Sequence, residues 1–446
     1  MLKPSLFSLR QALFGLSVVL IALLDPFGIA SSTDDASSRW LNRLLAATYA
    51  DKGQQQVVVV LIDDDYLLRN DTYWPLPYNE QSKLFKRLLA YEPAAVFVDL
   101  LYSHDHSREI PGQPPRMESQ LLANVFERYR QQDIPLYLAD TGLPRASEGA
   151  VNTLPRLAEV GTPALVSWSD FGNQYPLAVK TPLGTLETPA LRLYRDYCRH
   201  QACTDLPADP ASAAELAPMT VQWGVYRSPE QEKVADVSTC DIPGLFEQLK
   251  QAVFWKLGKQ ARATCAYTLT LSPTDLEVTD PDDRKLLESL LRGKLVLVGA
   301  QIAGTGDLTQ SALHGKIPGV YWHAMALDNL INWGMNYYRA TPSLADLGIP
   351  AGSVDVLDIL ELLLLGGITL LKGSLDAPLF TRALFIQRRR PRLRPLAAWA
   401  LVLAAIVLLS CGLWHYNYTP ANVLGLLLLS LTLFSARIQA LFANRA

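Results

Sequence analysis

Apolar runs alternate with amphipathic stretches in the first third of the chain, and this pattern predicts an α/β domain. The run at 57–62 is almost entirely β-branched and ends in three aspartates, which is typical of a buried parallel strand. Helical spacing at 78–91 precedes a second apolar run at 95–99. A helix at 117–131 and a strand at 135–138 continue the order. Strands that alternate with helices predict a mainly parallel sheet covered on both faces.

The same pattern returns further along the chain. A strand-like run at 295–299 is followed by a loop that contains glycines and by a predicted helix at 320–333. The region between the two halves, about 141–283, is rich in proline and glycine and predicts an elaborated insertion. Its predicted elements are short strands at 164–167 and 220–225 and a helix at 189–199.

Longer apolar runs at the two ends of the chain predict membrane segments. The run at 11–30 predicts an N-terminal anchor, although the small residues at its end also fit cleavage as a signal peptide. A polar, helical spacer at 31–52 follows it. The runs at 395–414 and 420–437 are almost uncharged and close to the roughly 20 residues that cross a hydrocarbon core. A less regular run at 354–372 predicts one further segment.

Three acidic residues occur in the first part of this less regular segment. Asp355, Asp358 and Glu361 recur at every third position. A carboxylate at mid-membrane costs about 2.5–3.5 kcal/mol, so we expect the three acids at the outer end of the helix. They could also share one face toward partner helices.

Basic residues predict the orientation of these segments. The loop at 373–394 contains six arginines and one acidic residue, whereas the loop at 415–419 has no lysine or arginine. Because basic loops stay in the cytoplasm, both termini (1–10 and 438–446) are expected inside and 31–350 outside. The sequence therefore predicts a multi-pass protein of the bacterial inner membrane with a large periplasmic domain.

Composition and cysteine content narrow the function classes. A net charge of −3 without a basic stripe excludes a nucleic-acid-binding surface. Four of the five cysteines lie in the predicted extracytoplasmic domain, where they could form the disulfides Cys198–Cys203 and Cys240–Cys265 or remain free thiols. Cys411 lies in an apolar segment, and no spacing matches a paired CxxC zinc motif.

Aspartates at the ends of two predicted strands are the main candidate site. Asp63, Asp64 and Asp65 follow the first strand, and Asp99 ends the second. Ligands of open α/β sheets bind at that edge, so these carboxylates could hold a cation or a polar ligand. The alternative is that they cap loops or the helices that follow.

Two weaker patterns suggest metal or phosphate binding. His104 and His106 could supply two metal ligands, but no third ligand is evident, and a solvated loop is expected. Gly299, Gly304 and Gly306 follow a strand as in phosphate-binding loops, but their spacing matches neither common motif. We expect them to be turn residues.

Six short segments, in this order along the chain, carry a resemblance to a known family. They are 60–63 (VLID), 74–77 (WPLP), 96–100 (VFVDL), 293–299 (GKLVLVG), 306–307 (GD) and 318–330 (PGVYWHAMALDNL). Together they resemble the CHASE2 family of extracytoplasmic sensor domains. The resemblance places Asp307 and His323 in its sharper, C-terminal part, and we add both to Asp63, Asp65 and Asp99 as candidate ligand-binding residues. Three membrane segments after the domain are also the arrangement that the family typically shows.

The resemblance implies a sensory function, with one departure. Family members usually continue into a kinase or a cyclase, whereas only 436–446 follow the last apolar run here. We therefore expect a sensory or regulatory subunit, not an enzyme, without a cofactor. It would bind an unknown ligand or periplasmic partner, signal through a separate effector, and be suited to forming a homodimer. A structural envelope scaffold, or an extracytoplasmic enzyme that uses Asp63 and Asp99, are the alternatives.

Overall fold

The structure is a computed structural model, and it divides into two compact units. The central unit comprises Asn42–Tyr338, and the terminal unit comprises the residues before and after it. Each unit is described by itself. The described residues are 29–104, 118–144, 153–168, 174–235, 265–304, 307–349, 354–376 and 393–427.

The central unit is built on a six-stranded parallel sheet, which confirms the predicted α/β fold. The strand order is β4-β3-β2-β10-β1-β9, and the remaining strands form three antiparallel pairs. The strands are β1 (Val57–Asp63), β2 (Ala95–Val98), β3 (Leu136–Asp140), β4 (Thr162–Leu165), β5 (Gln174–Tyr175), β6 (Ala178–Thr181), β7 (Gly184–Glu187), β8 (Met219–Thr220), β9 (Leu269–Leu271), β10 (Leu295–Gln301), β11 (Leu308–Ser311) and β12 (Gly315–Pro318).

Helices lie on both faces of this sheet. These are α2 (Asp64–Arg69), α3 (Tyr78–Leu89), α4 (Glu118–Gln131), α5 (Pro155–Ala158), α6 (Pro189–His200), α7 (Pro210–Ala214), α8 (Pro281–Leu291) and α9 (Gly319–Trp333) of the central unit. Helices α10 (Val356–Asp376) and α11 (Leu393–His415) belong to the terminal unit, and α1 (Ile29–Leu45) begins in the terminal unit and ends in the central one. Short 3-10 helices occur at Ala46–Thr48, Pro229–Lys233, Pro273–Glu277 and Gly334–Asn336.

The alternation of side chains along β1 explains why both faces are covered. Val57 and Val59 pack in a core with helices α6 and α9, whereas Val58 and Val60 pack in a second core with helices α3, α4 and α8. All four valines are buried. Burying a side chain of this size contributes about 1.5–3 kcal/mol, so an unbroken β-branched strand is stable only between two apolar layers.

The insertion differs from its prediction at 220–225, and it also contains strands that were not predicted, among them β5, β6, β7 and β9. The strand predicted at 220–225 is limited to β8, because the next amides bond to side chains and a turn instead of a neighbouring strand. Gln222 N donates to Asn329 Oδ1 (2.9 Å), and Trp223 N donates to Asn42 Oδ1 (3.3 Å). The apolar run that suggested a strand is buried in a core without extending the sheet.

One predicted disulfide is described completely. Cys198 and Cys203 are joined, with 5.5 Å between their Cα atoms, directly after helix α6. Cys265 is also disulfide-bonded, while Cys240, its predicted partner, lies outside the described residues. Cys411 is free and exposed.

The terminal unit contains helices α10 and α11 and a short helical segment after residue 422. Leu365 and Ile368 of α10 share an apolar cluster with Val402 and Ile406 of α11. None of the helices within the described part of the chain combines the length and the apolar character needed to cross a membrane. Most of the predicted segments 11–30 and 420–437 lies outside the described residues.

The acidic residues of α10 have specific partners in this unit. Glu361 accepts a hydrogen bond from Asn422 N (2.5 Å), and Asn422 Oδ1 in turn accepts one from Gly425 N (2.8 Å). Asp358 accepts from Asp355 N (2.9 Å) at the beginning of the helix. Glu361 therefore faces a neighbouring segment of the same chain, where it binds an N–H at a helix start, as acidic groups favour.

Candidate functional site

Aspartates end three of the parallel strands at the carboxyl edge of the sheet. Asp63 ends β1, Asp99 directly follows β2, and Asp140 ends β3. Strand β10 lies between β1 and β2, so Asp63 and Asp99 belong to strands that are separated by about 10 Å. The three aspartates therefore lie along one edge of the sheet, but each of them contacts different residues.

The side chain of Asp63 is already used in a hydrogen bond within the protein. Its Oδ1 accepts a hydrogen bond from Tyr66 N (2.8 Å) and caps helix α2. Asp64 accepts from Ala303 N (3.0 Å), and Asp65 is exposed on the first turn of α2. This is the capping arrangement that the sequence left open as the alternative to a ligand site.

Asp140, which the sequence analysis did not single out, is satisfied in the same way. Its side chain is buried and accepts hydrogen bonds from Gly142 N (2.7 Å) and Thr153 Oγ1 (3.3 Å). It holds the loop after β3 and leaves no oxygen for a ligand among the described contacts.

Asp99 differs from both in its hydrogen bonding, and its own pKa is raised. The side chain is half-buried and makes no hydrogen bond with any residue in the described part of the chain. Burial, and then the charge of Asp307, raise the pKa of Asp99 to about 8. The Asp99 carboxyl is therefore mainly protonated at neutral pH, as happens when two carboxyl groups share one site.

Asp307 follows β10, the strand that pairs with β2 in the sheet. The residue as a whole is exposed to solvent. Its carboxyl group is nevertheless partly desolvated by the surrounding protein, and this raises the pKa of Asp307. One of its oxygens would lie 2.7 Å from a Cβ atom placed on Gly319, the first residue of helix α9. A larger residue at position 319 would push Asp307 away from this position.

His323 lies within a packed aromatic cluster. Its Nδ1 and the Tyr175 hydroxyl are 2.7 Å apart, and its ring meets Phe97 edge-to-face with centroids 5.4 Å apart. Burial lowers the pKa of His323 to about 3, so the imidazole is neutral. Because Phe97 and Asp99 are two residues apart on one strand, their side chains point to the same face of the sheet.

The aromatic cluster was not predicted, because two of its members come from the insertion. Trp168 and Tyr175 have centroids 5.2 Å apart, and each contacts Trp322 at 5.6 and 5.8 Å. Rings this close are in direct contact, which leaves no space for a ligand between them. Tyr175, whose pKa is raised by burial and also by Asp99, connects the cluster to the carboxyl pair. The cluster is therefore a packed part of the core next to the site, and it is not itself a ligand pocket.

The metal and phosphate patterns do not form sites in the described residues. No group of three or more His, Cys, Asp or Glu side chains is arranged to hold a metal ion among them. The backbone carbonyl of His104 accepts from Tyr78 Oη (2.6 Å), and His106 lies outside the described residues. A Cβ atom at Gly299 would lie 2.5 Å from Val320 Cβ, so this glycine permits close helix–strand packing.

Gly304 is a turn residue, as expected. Its φ of +84° is a conformation that favours glycine. Gly306 lies outside the described residues.

A second polar cluster, at the opposite edge of the sheet, was missed by the sequence analysis. Tyr49 Oη donates to Asp328 Oδ1 (2.7 Å), Asn332 Nδ2 donates to the same oxygen (2.7 Å), and Asn329 Nδ2 donates to Tyr49 Oη (2.7 Å). Asp328 is fully buried, and burial is the first cause that raises its pKa to about 8. Adjacent polar residues in an otherwise apolar helix were the available signal.

Comparisons with known proteins identify the family of this chain. The model of the CHASE2 domain matches residues 14–368, which is most of the sequence. No curated protein and no solved structure matches the chain. The matched range includes the whole central unit, with the carboxyl pair and the aromatic cluster below it. The chain therefore belongs to the CHASE2 family, whose domains are sensory and extracytoplasmic.

Proposed function

We propose that the chain is a sensory or regulatory membrane subunit that binds its ligand or periplasmic partner at Asp99 and Asp307. One observation carries the proposal: Asp99 and Asp307 follow the neighbouring strands β2 and β10, the charge of Asp307 acts on Asp99, and no described hydrogen bond occupies the Asp99 side chain. Burial, and then Asp307, keep the Asp99 carboxyl mainly protonated at neutral pH. A ligand that brings positive charge would stabilise the ionised form and release this proton.

The placement in the membrane is part of this proposal. In it, the central unit is periplasmic and the apolar runs at both ends of the chain cross the bacterial inner membrane. The six arginines between residues 373 and 394 support this orientation, because such loops stay in the cytoplasm. The extracytoplasmic character of CHASE2 domains supports it independently.

The proposed mechanism is a shift between two arrangements of the membrane segments. A ligand changes this equilibrium only by the difference between its affinities for the two arrangements. A homodimer would transmit the shift through its symmetric interface to a signalling effector. The proposal includes no catalytic step and no cofactor.

Thermal shift with the full chain in detergent tests the ligand site. A compound that binds at Asp99 and Asp307 raises the melting temperature of the wild-type protein. At a concentration of one hundred times its Kd, it raises the free energy of unfolding by about 2.7 kcal/mol. Asp99→Asn and Asp307→Asn should each remove most of this shift. Asp65→Asn is the matched control, because it removes an exposed carboxylate from the same edge.

The outcome separates the sensor from its alternatives. A compound whose shift is the same in the wild type and in Asp99→Asn would place the ligand site elsewhere. Turnover of a compound that stops in Asp99→Asn would favour an extracytoplasmic enzyme. The ligand could also bind without changing the amount of a cytoplasmic effector that co-purifies with the chain. This result would favour a structural scaffold.

A further inference from the structure

Large apolar side chains are exposed mainly at the carboxyl edge of the sheet. Among the described residues of the central unit, seven are exposed, and five of them lie within ten residues after the carboxyl end of a strand of the six-stranded sheet. Leu68 is 79% exposed and Leu308 is 50% exposed, so these side chains contribute little to the core. The five at the edge are Leu68, Tyr73, Leu101, Leu143 and Leu308.

These side chains come from neighbouring strands. Leu143 follows β3, Leu101 follows β2, Leu308 follows β10, and Leu68 lies on helix α2 after β1. The four strands are consecutive in the sheet, with about 4.8 Å between neighbours. We call the surface formed by Leu68, Tyr73, Leu101, Leu143 and Leu308 the edge patch.

Exposed acidic groups accompany the edge patch on two of its segments. Asp64, Asp65 and Asp71 lie on the segment after β1, and Asp307 lies beside Leu308; all four are exposed. We call these four residues the acidic rim. Arg69 is the one lysine or arginine that the structure describes on the segments carrying the patch. An apolar surface with a mainly acidic rim is typical of an interaction site for a partner of the opposite charge.

The central unit is connected to the rest of the chain at the amino edge of its sheet. The central unit begins at Asn42 and ends at Tyr338. Tyr49 and Trp333, near these two ends, have ring centroids 5.3 Å apart. Tyr49 precedes β1 and Trp333 ends α9, so both connections leave at the amino edge, opposite the edge patch.

We propose that the edge patch is the docking surface of a protein partner that presents lysine or arginine side chains beside apolar ones. This inference rests on the proposed function and names the chemistry of its partner. Charge complementarity selects this occupant: a second copy of the chain would bring the same acidic rim, and an anionic lipid surface would be repelled. The apolar side chains supply contact area and the rim steers a basic partner to it.

A defined peptide tests the docking surface. The full chain is placed in nanodiscs of zwitterionic phosphatidylcholine, with empty nanodiscs as the blank, and a fluorescent amphipathic peptide of leucine and lysine is titrated by anisotropy. A matched peptide carries glutamate in place of lysine. The wild-type chain should bind the lysine peptide, with an affinity that falls as salt screens the acidic rim, and should not bind the glutamate peptide.

Variants locate the binding. Leu101→Ser combined with Leu308→Ser should weaken binding of the lysine peptide about tenfold, which is the usual loss at an interface centre. Tyr226→Ser is the matched control, since Tyr226 is exposed away from this edge, and it should bind as the wild type does. Asp65→Asn combined with Asp71→Asn should weaken binding and reduce its salt dependence.

Each other outcome overturns the proposal. Equal binding of the glutamate peptide, or an equal loss in Tyr226→Ser, would show that the edge patch does not select a basic partner. Sedimentation that shows self-association of the wild type and its loss in the Leu101→Ser/Leu308→Ser variant would assign the surface to a second copy. Tighter binding of the wild type to vesicles containing phosphatidylglycerol would assign it to lipid. A thermal shift that still depends on Asp99 would leave the proposed ligand site intact in all these cases.

Discussion

Asp63 and Asp99 have the same side chain and the same place at the end of a parallel strand, yet their surroundings give them different properties. Asp63 holds the first turn of helix α2 through Tyr66 N. Asp99 faces burial and the carboxyl group of Asp307, which together raise its pKa. A positively charged ligand would stabilise the ionised form of this carboxyl and release its proton, and this is why we propose the ligand site at Asp99.

At the residue scale, the first prediction concerns the pH dependence of stability. The folded chain keeps a proton on Asp99 up to about pH 8, whereas an unfolded chain releases it near the ordinary value of 3.8. The folded state binds the extra proton between these values, so this group lowers stability as pH rises through them, by at most about 1.4 kcal/mol per pH unit. Asp99→Asn removes this loss.

Melting temperatures of the full chain in detergent between pH 4 and pH 8 measure the effect. Asp99→Asn should resemble the wild type near pH 4 and be the more stable protein near pH 8. Asp328, which has a similarly raised pKa, is present in both proteins and cancels in the comparison. The prediction fails if the difference between the two proteins is the same at every pH.

The second prediction at this scale concerns the buried cluster around Tyr49. Its hydroxyl donates to Asp328 Oδ1 and accepts from Asn329 Nδ2, both at 2.7 Å. Tyr49→Phe keeps the ring contacts but leaves two buried polar groups with one partner fewer, which costs about 1–3 kcal/mol each. We expect a melting temperature several degrees below that of the wild type.

Tyr73→Phe is the control for this substitution, because Tyr73 is exposed at the surface. It should change stability by less than about 0.5 kcal/mol. Equal melting temperatures for Tyr49→Phe and Tyr73→Phe would mean that the hydroxyl of Tyr49 contributes nothing to the fold.

At the scale of elements, helix α9 connects the two polar clusters. His323 lies in its first half, against Tyr175, and Asn329 lies six residues later, which is about 9 Å along the helix axis. The helix is almost entirely buried, so it can move only together with the strands that it contacts. The stability of the central unit therefore depends on the distance between α9 and β10.

Gly299 sets this distance, and the third prediction follows from it. A Cβ atom at position 299 would come within 2.5 Å of Val320 Cβ. Gly299→Ala should therefore destabilise the chain by about 1–3 kcal/mol, because helix and strand must separate. The combination with Val320→Gly, which removes the Cβ atom of Val320, should cost less than the sum of the two single substitutions. Additive losses would show that the two residues do not press against each other.

Helices and strands were predictable where one pattern dominated. The helix predicted at 320–333 is α9, and the β-branched run at 57–62 is β1. The strand predicted at 220–225 was too long, because the apolar residues there alternate as in a strand but their amides bond to Asn42 and Asn329. Such partners, more than one hundred residues away, are invisible to a local pattern.

At the scale of the whole molecule, the parallel α/β fold was predictable but the strand order was not. Strand β10 lies between β1 and β2, and β9 takes the edge beside β1. These pairings join segments that are two hundred residues apart or more. For the same reason the candidate site was predicted only in part: the edge rule identified Asp99, the family resemblance added Asp307 and His323, and nothing indicated that Tyr175 would join them.

The membrane topology is the largest prediction that rests on the sequence. Six arginines between residues 373 and 394 should remain in the cytoplasm, together with both termini, because moving them across the bilayer is costly. An epitope tag between Thr381 and Pro391, and a reporter fused after Ala446, should both be inaccessible from the periplasm. A tag beside exposed Tyr226 serves as the control and should be accessible in intact cells whose outer membrane has been opened. If the tag between Thr381 and Pro391 is labelled as readily as the control, the central unit does not face the periplasm, and a ligand there could not act on Asp99.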